Sequence, residues 1–229
     1  MSYRIIGEHT EEVITVAFSP DGKQIASGGA ESTVCLWDIE SGQLKSTLEH
    51  IDNLRGITSV AFSHDGKQIV YCGGKKIIIW DVESGQLKAT LEGNDDDEIW
   101  SAAFSPDDKQ IVSSSEATVQ LWDVQSKQVI ATLAHFEFHE DGYVKDTNSA
   151  FSHDGKLIVY CSHKKIGIWN VQSREQIATL EGHTDDVNSV AFSPDGKYIV
   201  SGSVDGTTGL WNVQSKKQIA ILKGTNRFG

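Results

Sequence analysis

Residues 187–193, VNSVAFS, alternate between two kinds of position. Val190 and Phe192 fall on one side of an extended chain, Ser189 and Ala191 on the other, and that period of two predicts a strand. SPDG follows, with proline second and glycine fourth, the order that suits a type I turn. KYIVSGS is a short apolar run bounded by small residues, and TTGLWNV is another run rich in β-formers. Turns of the kind QSKK or ESGQ lead to a fourth run of the kind QIATLEG. No segment carries the apolar stripe of a helix. Each unit therefore reads as four short antiparallel strands. Both faces are partly apolar, so a unit needs neighbours stacked on both sides.

The unit occurs five times. AFSPDGKYIVSGSVDGTTGLWN at residues 191–212 is echoed from Ala17, Ala61, Ala103 and Ala150. The repeated Phe18, Phe62, Phe104, Phe151 and Phe192 lie 44, 42, 47 and 41 residues apart. Such a period is too long for one hairpin and too short for an independent domain. Each phenylalanine has a partner tryptophan: Trp37, Trp80, Trp122, Trp169 and Trp211. A second period lies above the first. Units 2 and 4 share SHDGK, IVYC and KKI, whereas units 1, 3 and 5 share SPD and carry serine in place of the tyrosine. The array looks like a duplicated pair of units followed by one more.

With WD at Trp37–Asp38, Trp80–Asp81 and Trp122–Asp123, WN at Trp169 and Trp211, and an intact Gly182–His183, the chain resembles the WD-repeat β-propeller family over nearly its whole length. The resemblance implies an all-β propeller of five four-stranded antiparallel blades in a single domain, residues 1–229, with blades at about 12–50, 56–93, 98–134, 143–182 and 186–224. Most family members have seven blades, so five is a departure. The resemblance also implies a structural tetrad in blade 5: His183, Ser201, Asp205 and Trp211, joined in one polar network. Histidine, serine and aspartate together invite comparison with a catalytic triad. Ser201, however, lies mid-strand, where a nucleophile needs a sharp elbow. Blade 1 has His9, Ser27 and Trp37 but Glu31 in place of the aspartate. Blades 2 and 4 have Tyr71 and Tyr160 in place of the serine, and blade 3 has Asn94 in place of the histidine. On this basis only blade 5 is expected to complete the network.

Composition narrows the function. The formal net charge is −12, which argues against nucleic acid and anionic membrane as partners. No apolar run approaches the length of a membrane span or of a signal peptide. Cys35, Cys72 and Cys161 are widely spaced within apolar runs, which predicts buried reduced thiols and a cytoplasmic location.

Charge is also patterned. The loops leading into each first strand read EHTEE, EHIDN, EGNDDDE, HFEFHED and EGHTDD, all acidic, and the family pattern puts them on one face, the top. The opposite turns, SPDGK, SHDGK, ESGQLK and QSKK, balance lysine against aspartate. Lys75, Lys76, Lys164 and Lys165 are the basic exceptions at the top. Solubility alone accounts for an acidic face. The functional alternative is a docking face for a basic peptide or protein, with Glu11, Glu12, Asp52, Asp95, Asp96, Asp97, Glu140, Asp141, Asp185 and Asp186 as candidate contacts. Phe136 and Phe138, with Tyr143, are candidate aromatic anchors in the longest loop; the alternative is that they pack on the blade below. His135, Glu137 and His139 alternate and would share one face of an extended backbone, a weak zinc set without a fourth ligand. Asn94–Glu98 lacks the spacing and glycine of a calcium-binding loop.

The expectation is thus a non-catalytic, cofactor-free interaction scaffold with an acidic top face and no bound metal. A small-ligand or glycan-binding propeller is the alternative, and it needs a polar-aromatic pocket repeated in each blade, which the sequence does not display. Closure sets a further question. SYRIIGE, residues 2–8, and QIAILKG, residues 218–224, both match the fourth-strand pattern and compete for the outer slot of blade 5. A closed five-bladed monomer is favoured, and a homodimer of open arrays is the alternative.

Overall fold

The computed structural model describes residues 9–49, 56–92, 98–135 and 148–223. Among these are twenty strands and no helix. Blade 1 comprises β1 (Val13–Phe18), β2 (Gln24–Gly29), β3 (Thr33–Asp38) and β4 (Gln43–Glu49). Blade 2 comprises β5 (Ser59–Phe62), β6 (Gln68–Gly73), β7 (Lys76–Asp81) and β8 (Gln86–Glu92). Blade 3 is β9 (Ile99–Phe104), β10 (Gln110–Ser115), β11 (Thr118–Asp123) and β12 (Gln128–His135). Blade 4 is β13 (Ser149–Phe151), β14 (Leu157–Ser162), β15 (Lys165–Asn170) and β16 (Glu175–Glu181). Blade 5 is β17 (Val187–Phe192), β18 (Tyr198–Ser203), β19 (Thr207–Asn212) and β20 (Lys217–Lys223). Each blade is a four-stranded sheet whose strands pair in chain order, as expected for a five-bladed propeller. The outer slot of blade 5 is taken by the local claimant, since β20 pairs with β19 from Thr207↔Lys223 to Asn212↔Lys217. Residues 2–8 lie outside the described residues.

Tertiary contacts divide the chain into two compact units. One runs to Ile111 and adds Asp123–Gln128; the other holds Val112–Trp122 and continues from Val129. Within the first, Ala26, Val34, Leu36 and Leu48 of blade 1 pack with Ile57 and Val60 of blade 2 in one buried cluster. Within the second, Val159, Cys161, Ile166, Ile168 and Leu180 of blade 4 pack with Val187 and Val190 of blade 5. Blade-on-blade stacking thus buries the residues that a lone sheet would expose.

The SPDG motif has a structural cause. In blade 5 the Gly196 amide donates to the Ser193 carbonyl at 2.8 Å, the Ser193 hydroxyl donates to Asp195 at 2.7 Å, and the Tyr198 amide donates back to the Ser193 hydroxyl at 3.0 Å. Gly196 has φ +68°, a left-handed backbone that favours glycine. Blade 3 puts Asp108 at this position with φ 58°. Its carboxylate accepts the amides of His64 at 2.7 Å and Asp65 at 2.9 Å, so a strained turn in blade 3 clamps the matching turn of blade 2. Asp108→Ala keeps the backbone strain and loses the clamp. Urea denaturation is expected to show a loss of about 1–2 kcal/mol, with Asp108→Gly losing less.

Candidate functional site

The His183 ring is held between two partners. Its Nδ1 lies 2.9 Å from Asp205 Oδ2 and its Nε2 lies 2.8 Å from Ser201 Oγ. Trp211 Nε1 donates to the same Ser201 oxygen at 2.8 Å. A carboxylate accepts only, so Nδ1 donates its proton to Asp205. The serine hydroxyl then donates to Nε2 and accepts from tryptophan. The chain of donors runs Trp211, Ser201, His183, Asp205, with every member satisfied. Thr207 Oγ1 and the Thr184 amide also donate to Asp205, at 2.6 and 3.0 Å. The order serine, histidine, aspartate matches a catalytic triad, but Ser201 is 1% exposed and its oxygen is already taken by Trp211. The network joins the loop before β17, β18, the β18–β19 turn and β19, and so acts on the blade rather than on a substrate.

Burial raises the pKa of Asp205, yet hydrogen bonds from Thr207, the Thr184 amide and His183 outweigh it and hold the carboxyl well below the usual 3.8. A depressed carboxylate adds stability that is present above its unfolded pKa and lost as pH falls. Urea midpoints of the protein are therefore expected to decline between about pH 4 and pH 2 more steeply than those of Asp205→Asn, which is already weaker at neutral pH. Parallel curves would show that Asp205 carries no such linkage.

Blade 1 corrects the sequence expectation, because it also completes a network. His9 Nδ1 bonds the Glu31 carboxylate, His9 Nε2 lies 2.6 Å from Ser27 Oγ, and Trp37 Nε1 donates to Ser27 at 2.7 Å. The longer glutamate reaches the ring that an aspartate serves in blade 5. Blade 3 retains a fragment, Trp122 Nε1 to Ser113 at 2.8 Å. In blades 2 and 4 the tyrosines displace the acceptor, and Trp80 Nε1 and Trp169 Nε1 are buried without a partner. The Tyr160 hydroxyl recovers a bond to Gln176 at 2.8 Å, while that of Tyr71 finds none. Gly167 makes room for Tyr160, whose ring carbon Cζ lies 2.0 Å from where a Cβ would stand.

Antiparallel pairing in chain order sends the loops into each first strand and the turns between second and third strands out of the same end of a blade. Among the described candidates at that end, Glu11, Glu12 and Asp185 are exposed and Asp186 is half-buried, 3.7 Å from His163 Nδ1. Asp52, Asp95, Asp96, Asp97, Phe136, Phe138, Glu140 and Asp141 lie outside the described residues, as do Glu137, His139 and the side chain of His135. Among the described residues no group of histidine, cysteine or carboxylate side chains is arranged to hold a metal. At the opposite end lysine and aspartate pair turn by turn: Lys67–Asp65 at 4.0 Å, Lys109–Asp107 at 3.9 Å, Lys156–Asp154 at 3.3 Å and Lys197–Asp195 at 3.4 Å. Such exposed pairs add little stability, but they cancel charge locally. Two of the basic exceptions are matched, with Lys76 3.7 Å from Glu92 and Lys165 2.6 Å from Glu181. A cavity of about 500 Å³ beside Lys88, Asp108, Lys109 and Asp123 belongs to the first unit.

These repeats define a class of protein built from stacked four-stranded blades, and comparison with known proteins supplies the family. Residues 174–212 match the model of the WD domain, G-beta repeat, and residues 3–108 match that of the Nucleolar protein 10-like, N-terminal domain. The matched segments carry WD repeats of the β-propeller kind, in keeping with the five four-stranded blades. It is similar to the Notchless protein homolog of Arabidopsis thaliana, 59% identical over 34 residues, which are 15% of this chain and 7% of that protein. An uncharacterized WD repeat-containing protein of Synechocystis is 49% identical over 53 residues, 23% of this chain and 15% of that protein. The small ribosomal subunit protein RACK1z of Arabidopsis thaliana is 51% identical over 41 residues, 18% of this chain and 12% of that protein. The chain thus spans a small fraction of the length of the curated relatives it matches. Propellers of this family typically mediate protein interactions, and WD-repeat homologues are generally non-catalytic scaffolds.

Proposed function

We propose that the chain is a non-catalytic scaffold that presents the acidic ends of its blades to a basic peptide or protein. The observation that carries this reading is the difference in charge between the two ends of a blade. Lysines at one end are matched by aspartates a few ångströms away, whereas Glu11 and Glu12 of blade 1 and Asp185 of blade 5 are exposed at the other. Unmatched charge of one sign steers a partner of the other sign and orients it. Three buried, free thiols at Cys35, Cys72 and Cys161 fit a reducing compartment and support a cytoplasmic location. The relative described as a small ribosomal subunit protein is a component of a larger assembly, which accords with a scaffold.

The test is fluorescence anisotropy with two labelled peptides of equal length, one lysine-rich and one glutamate-rich. The protein is expected to bind the lysine-rich peptide alone. Changing Asp95, Asp96 and Asp97 to asparagine, together with Glu11→Gln, Glu12→Gln and Asp185→Asn, is expected to weaken binding by about tenfold or more. Equal affinity for both peptides, or no response to the substitutions, would overturn the reading.

A further inference from the structure

Blades 2 and 3 enclose the cavity of about 500 Å³ at the end where lysine and aspartate alternate, wholly within the first compact unit. Ile79, Ala89 and Val124 give it an apolar wall. Lys88 of β8, Lys109 of the β9–β10 turn and Lys127 of the β11–β12 turn give it cations. The carboxylates of the lining are already engaged. Asp108 accepts the amides of His64 and Asp65 at 2.7 and 2.9 Å, and Asp123 accepts the Ser126 amide at 2.7 Å. Lys109 stands 3.9 Å from Asp107. Among the described residues neither Lys88 nor Lys127 has a carboxylate within ion-pair distance. Asp65 and Asp81 sense the charge of Lys88 only from farther away.

The seam between blades 4 and 5, inside the second unit, is built differently. Lys216 holds in blade 5 the place of Lys127 in blade 3. Both have a left-handed backbone, φ 57° and 61°, and their amides donate at 2.9 Å to the carbonyls of Asn212 and Asp123. Ile177 holds in blade 4 the place of Lys88 in blade 2. Each is the bulged residue of its fourth strand, lying between the pairs Ile168↔Ala178 and Trp169↔Gln176 in blade 4, and between Ile79↔Ala89 and Trp80↔Leu87 in blade 2. Lys216 Nζ donates at 2.6 Å to the Ile177 carbonyl and ties the two blades together. Among the described residues Lys127 makes no such tie, and the residue in the matching place of its neighbour is itself a lysine. Two like charges thus line one cavity, and an anion held by both relieves their repulsion.

We propose that this cavity binds a small organic phosphate. The ligand is a phosphate monoester whose apolar group rests on Ile79, Ala89 and Val124 and whose head is held by Lys88 and Lys127. A phosphate monoester carries nearly two negative charges at neutral pH, which matches the two lysines that lack a carboxylate partner. Small-molecule sites are mostly apolar with a few placed polar groups, and lysine serves phosphate as a point charge. The cavity lies at the end of the blades opposite the acidic loops, so the proposal stands apart from the scaffold reading.

Isothermal titration calorimetry of the full chain with naphthyl phosphate at about pH 7.5 tests this. Saturable binding is expected with a Kd of about 10–500 μM, and naphthol and inorganic phosphate are each expected to bind about tenfold or more weakly than the ester. Lys88→Ile, which gives blade 2 the residue that blade 4 carries, is expected to weaken binding about tenfold, as are Lys88→Gln and Lys127→Gln. Lys197→Gln, on the SPDGK turn of blade 5, is expected to leave it unchanged. All three lysines are exposed, so the melting temperatures of the variants are expected to stay within about 2 °C of the parent. Absence of saturable binding up to about 5 mM overturns the proposal. So does inorganic phosphate binding as tightly as the ester, or a loss at Lys197→Gln equal to that at Lys88→Gln and Lys127→Gln.

Discussion

Replacing His183 with alanine is expected to cost about 3 kcal/mol, among the largest single-residue losses in the chain. The substitution strands the Ser201 hydroxyl and removes a donor from a buried carboxylate, since His183 lies 2.8 Å from the one and 2.9 Å from the other. It also deletes a ring packed 5.9 Å, centre to centre, from Trp211. A paired comparison isolates the polar part. Trp211→Phe and Trp80→Phe both remove an indole ring. Trp211 Nε1, however, donates at 2.8 Å to Ser201, whereas Trp80 Nε1 is buried without a partner. The first change is expected to cost about 1–2 kcal/mol more than the second. Trp37→Phe is expected to follow Trp211→Phe, because Ser27 accepts its indole at 2.7 Å. Equal urea midpoints for Trp211→Phe and Trp80→Phe would show that the networks do not hold the blades.

Adding one methyl group at Gly28 is expected to destabilise the protein by about 2–3 kcal/mol, while the same addition at Gly202 leaves stability within about 0.5 kcal/mol. The two glycines occupy equivalent positions on β2 and β18. At Gly28 the new carbon would meet Ile57 Cγ2 at 2.5 Å, Ile57 Cβ at 2.8 Å and Thr15 Cγ2 at 2.8 Å. These atoms belong to β-branched side chains with little freedom to move aside. At Gly202 the nearest atoms stand at ordinary contact distance. Thermal unfolding of Gly28→Ala and Gly202→Ala separates the sites, and a similar loss at both would mean that contact with Ile57 does not set the cost at Gly28.

Much of the fold was legible because it repeats. Alternation gave the strands, and the recurring offset of 18 or 19 residues from each phenylalanine to its tryptophan gave the blades. The blade 1 network was legible in principle. His9, Ser27 and Trp37 are spaced by 18 and 10 residues, as are His183, Ser201 and Trp211. Glu31 and Asp205 each lie 22 residues after their histidines. Equal spacing outweighs one methylene of side-chain length, and the strict demand for aspartate hid it. The role of Asp108 was not legible. In sequence it is a missing glycine; only the fold brings it to the amides of the preceding blade. The acidic character of the loops was plain from composition, because charge needs no geometry to be counted.

The most direct measurement of the central claim is the salt dependence of binding to the lysine-rich peptide. Attraction between exposed charges is screened beyond about 10 Å at 0.1 M salt and beyond about 3 Å at 1 M. The scaffold reading predicts that affinity falls by about tenfold or more between roughly 50 and 500 mM sodium chloride, and that the six-residue neutralised variant shows a much flatter response. An affinity that holds constant across that range, in both proteins alike, would contradict it.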